Sequence, residues 1–199
     1  MFTGIITHQW RIISQENGVF TIENPFTERL QIGQSIAHDG ACMSVTAVHT
    51  STYSFFVMQE SFTKTNFSHK TTGSFFNLER CMQLSDKVDG HLVTGHIDST
   101  GVITQLQNAA DGSRMIGISF DTAFDAYCIP KWSIALQGIS LTVVDTAPGY
   151  ISVRLIPLTL QKTNLWNAVL WTVVNIEFDM MGKYALRYLQ TYHPQLVQQ

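Results

Sequence analysis

This chain of 199 residues contains its own half twice, and that limits its fold more than any other feature. Displaced by 98 residues, Ser35-Ile36-Ala37 meets Ser133-Ile134-Ala135, Gly40 meets Gly138, and Lys64-Thr65-Asn66 meets Lys162-Thr163-Asn164. Cys42-Met43-Ser44-Val45 falls on Ser140-Leu141-Thr142-Val143, while Asn77 and Glu79 fall on Asn175 and Glu177. Between positions 35 and 79, eleven of 45 residues are identical without a gap, well beyond what unrelated segments of this composition share. The beginnings of the halves align at a displacement of 91, where Thr3-Gly4 meets Thr94-Gly95 and Ile6 meets Ile97. The second half is therefore seven residues longer, and the loop Asn108-Ala109-Ala110-Asp111-Gly112 is where the excess is expected. Two domains follow, 1–90 and 91–184, with 185–199 as a C-terminal helix and tail.

Within each half the texture is that of an all-β fold. Phe20-Thr21-Ile22, Cys42 to Val48, Tyr53 to Met58 and Ile139 to Val144 are short, nearly alternating, and rich in β-branched and aromatic residues. Turns are expected at Asn17-Gly18, Asp39-Gly40, Asp111-Gly112 and Pro148-Gly149. Short strands at this spacing, with no long helix between them, predict a small antiparallel barrel in each half. The exception is the end of the chain, where Tyr184, Ala185, Tyr188, Leu189 and Tyr192 recur at helical spacing up to Pro194. A helix of about three turns is marginal alone, so it docks either on its own barrel or on another subunit.

Composition narrows the function. Twelve Lys and Arg against fifteen Asp and Glu give a net charge of −3 without a basic cluster, which argues against nucleic acid as a partner. No apolar run approaches the ~20 residues that span a bilayer, and the first residues do not read as a secretion signal, so a cytoplasmic enzyme or binding protein is expected. Cys42, Cys81 and Cys128 are odd in number, far apart and without a CxxC pair, which disfavours disulfides and a zinc site. His91 and His96, five apart, would point to opposite faces of a strand and do not suit a shared metal.

The motifs resemble one family over almost the whole chain. Met1-Phe2-Thr3-Gly4-Ile5-Ile6, Ser35 to Thr46, Asn77-Leu78-Glu79-Arg80, Gly90 to Asp98 and Gly138 to Val143 have the order, spacing and duplication of riboflavin synthases of the α-chain type. The resemblance implies two six-stranded Greek-key barrels, a C-terminal helix that helps hold a homotrimer, and an active site between barrels of neighbouring subunits. It implies that two molecules of 6,7-dimethyl-8-ribityllumazine dismutate by transfer of a four-carbon unit, giving riboflavin and 5-amino-6-ribitylamino-2,4-pyrimidinedione. No cofactor or metal is implied, and lumazine synthase is a further partner to consider. A duplicated chain suits such a reaction, because two similar pockets can hold two copies of one substrate in a nearly two-fold relation.

The resemblance points to Cys42, His96, Ser140 and Thr142 as catalytic. Around the ligands it places Phe2, Thr3, Gly4, Ile5 and Ile6; Ser35, Met43, Ser44, Phe56, Met58, Glu60 and Ser61; Gly95 and Ile97; and Lys131, Leu141, Arg154, Ile156, Pro157 and Thr159, together with Cys42, His96, Ser140 and Thr142. Cys42 is either a thiol of the N-terminal pocket or an inert packing residue. Ser140, its counterpart, is a weak nucleophile unless activated. His96 has only Ile5 as counterpart and breaks the symmetry of the pockets; it is a proton carrier or a hydrogen-bonded structural histidine, and His91 has the same two readings. Asp179 matches an acidic family position but also reads as a solvated strand end.

Two departures from the family stand out. Trp10, Trp132, Trp166 and Trp171 stand where it usually has glycine, and within the repeat Trp10 falls on Gly101 and Trp171 on Gly73. An indole there is strained if those glycines need positive φ, and nearly neutral if they lie on exposed turns. Gln137 replaces the usual Asp opposite Asp39, which puts carboxylate-assisted proton transfer at that place in doubt. The alternative function is a non-catalytic lumazine- or flavin-binding protein resembling lumazine proteins; a partner-binding trimer that uses only the helix would leave the pocket motifs unexplained.

Overall fold

In the computed structural model, which describes residues 1–196, the repeat appears as two closed six-stranded antiparallel barrels. The first is built from β1 (His8–Glu16), β2 (Val19–Glu23), β3 (Ser35–His38), β4 (Ala41–Val48), β5 (Thr52–Phe56) and β6 (Phe75–Arg80), with the helix α1 (Gln59–Lys64) between the last two. The second repeats it with β7 (Ser99–Asn108), β8 (Arg114–Ser119), β9 (Ser133–Leu136), β10 (Ile139–Ala147), β11 (Tyr150–Leu155), α2 (Pro157–Lys162) and β12 (Val173–Phe178). Both close in the same order, β1-β2-β5-β4-β3-β6 and β7-β8-β11-β10-β9-β12. A barrel this small must curve sharply, and the register slips that let it do so recur in equivalent places: between Ile12 and Ser14 and between Ile103 and Gln105, then between Val45 and Ala47 and between Val143 and Asp145.

The seven extra residues divide between two places. Ile12 pairs with Ile22 and Ile103 with Ile118, so the displacement grows from 91 to 96 across the β7–β8 hairpin and reaches 98 only at Ser133. Five residues therefore widen the hairpin as expected. The other two enter the connection before β9, which holds the short helical turn Thr122–Tyr127. The sequence did not suggest α1 or α2, because six residues are too few to show a helical period.

Alternation along β4 and β10 puts Met43, Val45, Leu141 and Val143 inside and leaves Cys42, Ser44, Ser140 and Thr142 on the outer face. The interiors differ in chemistry. The first barrel is filled by Phe20, Tyr53, Phe55, Phe67 and Phe76, the second by aliphatic residues such as Ile103, Ile118, Ile134, Val153 and Ile176. His38 and Tyr53 of the first barrel replace Leu136 and Ile151 of the second. The His38 ring lies 4.0 Å from Phe55 between centroids, and its nitrogens contact the Ile36 carbonyl at 3.1 Å and the Tyr53 hydroxyl at 2.8 Å. Burial holds its pKa down at about 3.

The barrels meet where their β3–β4 and β9–β10 turns stand back to back. Asp39-Gly40 and Gln137-Gly138 all have positive φ (46°, 85°, 51° and 76°), the geometry of two-residue type I′ hairpins. A Cβ on Gly40 would lie 2.7 Å from the Gly138 nitrogen, and one on Gly138 would lie 2.6 Å from the Gly40 nitrogen. The side chains around this contact exchange hydrogen bonds across a local two-fold. Asn77 Nδ2 donates to the Gln137 carbonyl and Asn175 Nδ2 to the Asp39 carbonyl, both at 3.0 Å. The Asn66 amide donates to Asn175 Oδ1 at 2.6 Å and the Asn164 amide to Asn77 Oδ1 at 2.7 Å. Gln137 thus belongs to a buried seam, where it donates to Asp39 Oδ2 at 3.2 Å. Its side chain serves the contact between the barrels, in keeping with the doubt that the sequence raised about proton transfer there.

The helix α3 (Met180–Tyr192) begins four residues before the expected stripe because Asp179 caps it, accepting from the Met181 amide at 3.0 Å. It approaches the turn Thr122–Tyr127, and Lys183 pairs with Asp98 at 2.5 Å. Met181, Tyr184, Tyr188 and Tyr192 nevertheless remain exposed. The last three residues of the expected tail, 197–199, lie outside the described residues. Of the four tryptophans, Trp171 adopts φ 74° like the φ 90° of Gly73 and extends into solvent, so it carries the strain of a left-handed backbone, about 1 kcal/mol, without a clash. Trp132 and Trp166 are exposed, and Trp10 packs on the first core with its indole N–H unpartnered. Nothing in the structure explains why all four differ together.

Two outcomes follow from these buried polar groups. Lys70 neutralises Asp39 at 2.5 Å, whereas their counterparts in the repeat are the neutral pair Ala168 and Gln137. Lys70→Ala is expected to cost about 3–5 kcal/mol in urea unfolding, because it strands a buried charge. Lys70→Ala with Asp39→Gln, which copies the second half, should be more stable than Lys70→Ala alone. The unfolded chain binds a proton at His38 below its ordinary value of about 6.5, while the folded chain does so only near 3, so stability is full above the upper value and falls as pH drops between them. Burial raises the pKa of Glu79 and Glu177, which opposes this trend in every variant that keeps them. His38→Leu with Tyr53→Phe should therefore remove a slope of up to about 1.4 kcal/mol per pH unit from unfolding curves measured against the parent protein.

Candidate active site

On the outer face of the second barrel, Ile5, Asp89, Gly90, Ser133, Ser140, Leu141, Thr142, Arg154, Ile156 and Thr159 line a cleft of about 340 Å³. Seven of these were expected from the sequence. Asp89, Gly90 and Ser133 were not, although the repeat carries the expected Ser35 directly onto Ser133. Leu141 reaches the cleft from a core position, and Pro157 starts the neighbouring α2. Lys131 lies just before β9 with φ 68°, as its counterpart Gly33 does with φ 86°, and it is exposed.

Ser140 is the best-defined polar group of this cleft. Its amide donates to the Gly4 carbonyl at 2.8 Å, and its hydroxyl shares a hydrogen bond of 2.7 Å with His91 Nδ1. Burial lowers the His91 pKa and the charge of Asp179 opposes that shift, so a neutral ring able to take the Ser140 proton is favoured near neutrality. His91, left open by the sequence, therefore has a site geometry. It and His96 lie in an extended connection between the barrels, not on one strand, so the two-face argument does not apply to them.

The equivalent residues of the first barrel occupy its outer face. Ser35 pairs with Ser44 across β3 and β4, Cys42 lies beside them, and Phe56, Met58 and Glu60 are exposed at the end of β5 and the start of α1, with Ser61 half-buried one residue on. Met43, like its counterpart Leu141, occupies a core position in its barrel. The Cys42 amide donates to the Gly95 carbonyl at 2.8 Å, the counterpart of the Ser140–Gly4 bond. A Cβ on Gly95 would lie 2.5 Å from the Cys42 Cβ, and one on Gly4 would lie 2.6 Å from the Ser140 Cβ. Both glycines are left-handed, with φ 86° and 76°, so this close approach requires glycine twice over.

His96 follows Gly95, with its ring exposed and its amide donating to Thr94 Oγ1 at 3.2 Å. Cys42 is half-buried against Phe2, Ala37, Val93 and Ala135, and Phe2 exchanges two backbone hydrogen bonds with Val93. Phe2 and Thr3 are therefore buried structural members of the site wall, and Ile6 and Ile97 reach the cores. Among the described residues no group of three His, Cys, Asp or Glu side chains converges as a metal site.

This geometry defines a class: a tandem of barrels with two matched outer faces, one offering a thiol beside an exposed histidine, the other a cleft with a hydroxyl bonded to a histidine. Residues 3–81 and 94–179 each match the lumazine binding domain family. The chain is 35% identical to the riboflavin synthase of Actinobacillus pleuropneumoniae over 95% of its own length and 90% of that protein, and 32% identical to that of Bacillus subtilis over 100% and 94%. Its fold matches the crystal structure of LumP complexed with riboflavin, with a TM-score of 0.82 at 18% identity, covering 89% of this chain and 99% of that one. The chain belongs to the riboflavin synthase family, built from two lumazine binding domains.

Proposed function

We infer that this protein is a riboflavin synthase, an enzyme that transfers a four-carbon unit between two molecules of 6,7-dimethyl-8-ribityllumazine and releases riboflavin and 5-amino-6-ribitylamino-2,4-pyrimidinedione. The observation that supports this reading over a binding protein is that both outer faces, the two pockets of this reading, keep a nucleophile whose amide is held by a backbone carbonyl: Cys42 on Gly95 and Ser140 on Gly4. Two such pockets bring two substrates together and convert their encounter into an effectively unimolecular step, worth on the order of 7 kcal/mol. The Ser140–His91 pair, with Asp179 nearby, moves a proton in the C-terminal pocket; His96 does so beside Cys42 in the N-terminal one. Ser35, Ser44, Ser61, Thr142 and Thr159 satisfy the polar, uncharged ligands with hydroxyls, and Lys131 and Arg154 contact them from the rim of the C-terminal pocket.

We further propose that the exposed stripe Met181, Tyr184, Tyr188 and Tyr192 is covered by other copies of the chain in a homotrimer, where an N-terminal pocket of one subunit faces a C-terminal pocket of the next. The expected setting is the cytoplasm, and association with lumazine synthase rests on family likeness alone.

Incubated with 6,7-dimethyl-8-ribityllumazine and a chelator, the purified protein should form riboflavin; consumption of lumazine without riboflavin would overturn the reading. His96→Gln keeps a hydrogen-bonding side chain but cannot carry a proton, so turnover should fall while lumazine binding measured by fluorescence persists. Removal of residues 184–199 should reduce the sedimentation coefficient of the assembly while the barrels stay folded; an intact trimer from the shortened chain would refute the role of the helix.

A further inference from the structure

Two buried glutamates stand at equivalent places in the repeat, Glu79 in β6 and Glu177 in β12. Glu79 accepts from the Thr3 amide at 2.7 Å, the Thr3 hydroxyl at 2.8 Å and the Gly4 amide at 3.0 Å. Glu177 accepts from the Thr94 amide at 2.6 Å, the Thr94 hydroxyl at 2.7 Å and the Gly95 amide at 3.0 Å. Only a carboxylate offers lone pairs to all three donors, since an amide side chain turns a donor of its own toward one of them.

What the two Thr-Gly segments touch next lies in the opposite barrel. Gly4, held by the first barrel, accepts from the Ser140 amide of the second, and two residues on Ile6 enters the second core. Gly95, held by the second barrel, accepts from the Cys42 amide of the first, and Ile97 packs on the first core. We propose that Glu79 and Glu177 are crossed positioning residues, each fixing the nucleophile of the other barrel's pocket by clamping the Thr-Gly segment against it: Glu79 for Ser140 and Glu177 for Cys42. The proposal rests on the reading of these pockets as the reacting ones. It makes the pockets interdependent, because neither barrel completes its own.

The test is amide hydrogen exchange in the full-length protein, read at Ser140 and Cys42. Glu79→Gln should speed exchange at Ser140 by about tenfold or more and leave Cys42 unchanged, and Glu177→Gln should do the reverse. Both should lower kcat by about tenfold to a hundredfold at saturating lumazine with a smaller change in KM, because a displaced nucleophile loses more than binding does. Should either variant fail to fold, Thr3→Val and Thr94→Val remove one donor from each clamp and should give the same crossed pattern at smaller size. Exchange that rises in the barrel carrying the substitution, or equally in both, overturns the proposal, as does unchanged kcat in variants that show the crossed exchange. Exchange does not depend on turnover, so a crossed pattern in a protein that forms no riboflavin would sustain the clamps and reject the assigned reaction instead.

Discussion

Asp39 carries a carboxylate with no access to water at the centre of the molecule, and the relation between the barrels depends on how that group is satisfied. It accepts from the Asn77 amide at 2.8 Å and Asn164 Nδ2 at 2.7 Å through one oxygen, and faces Gln137 and Lys70 through the other. Those donors come from both halves, so the carboxylate is desolvated at tolerable cost only when the barrels are docked in this one arrangement. The glycine contact beneath it admits no sliding, because either missing Cβ would collide with the opposite backbone. Barrels formed but undocked would expose the seam, which couples docking to the integrity of each turn.

The local two-fold is broken where like charges would otherwise meet. An aspartate at position 137 would oppose Asp39 inside the seam, with one cation, Lys70, to serve both. Gln137 turns that repulsion into a hydrogen bond, and Ala168 fills the place of the lysine that the second half no longer needs. The cores have diverged in the same compensated way: His38 and Tyr53 bond to one another in the first barrel, while Leu136 and Ile151 take both places in the second. A polar group and its partner change together, because changing one alone leaves a buried atom unsatisfied.

The duplication made the barrels, most of the turns and one wall of each pocket legible in the sequence, because alternation and Gly-containing turns are local signals. The seam was not legible. Asn66, Asn77, Asn164 and Asn175 were visible as matched residues, but their contacts join positions 60 to more than a hundred residues apart, which periodicity cannot report. For the same reason the sequence could only put proton transfer at Gln137 in doubt and could not place its side chain in the seam between the barrels. His91 was undecided because its partner Ser140 is 49 residues away.

Crossing the Thr-Gly segments has a consequence for how such a chain can diversify. If each barrel built its pocket alone, one could drift toward a donor role and the other toward an acceptor role independently. Here Ile5, after Gly4, lines the second barrel's cleft, and His96 follows Gly95, which bonds to Cys42 of the first barrel, so the exchange of Ile5 for His96 falls near Cys42 on a segment that the second barrel holds. The clamp must stay constant while the side chain beside it varies, since the glutamate sees only the threonine and backbone amides that precede it. Chemical asymmetry can then be introduced at the fifth and ninety-sixth positions without disturbing the two-fold frame that relates the barrels.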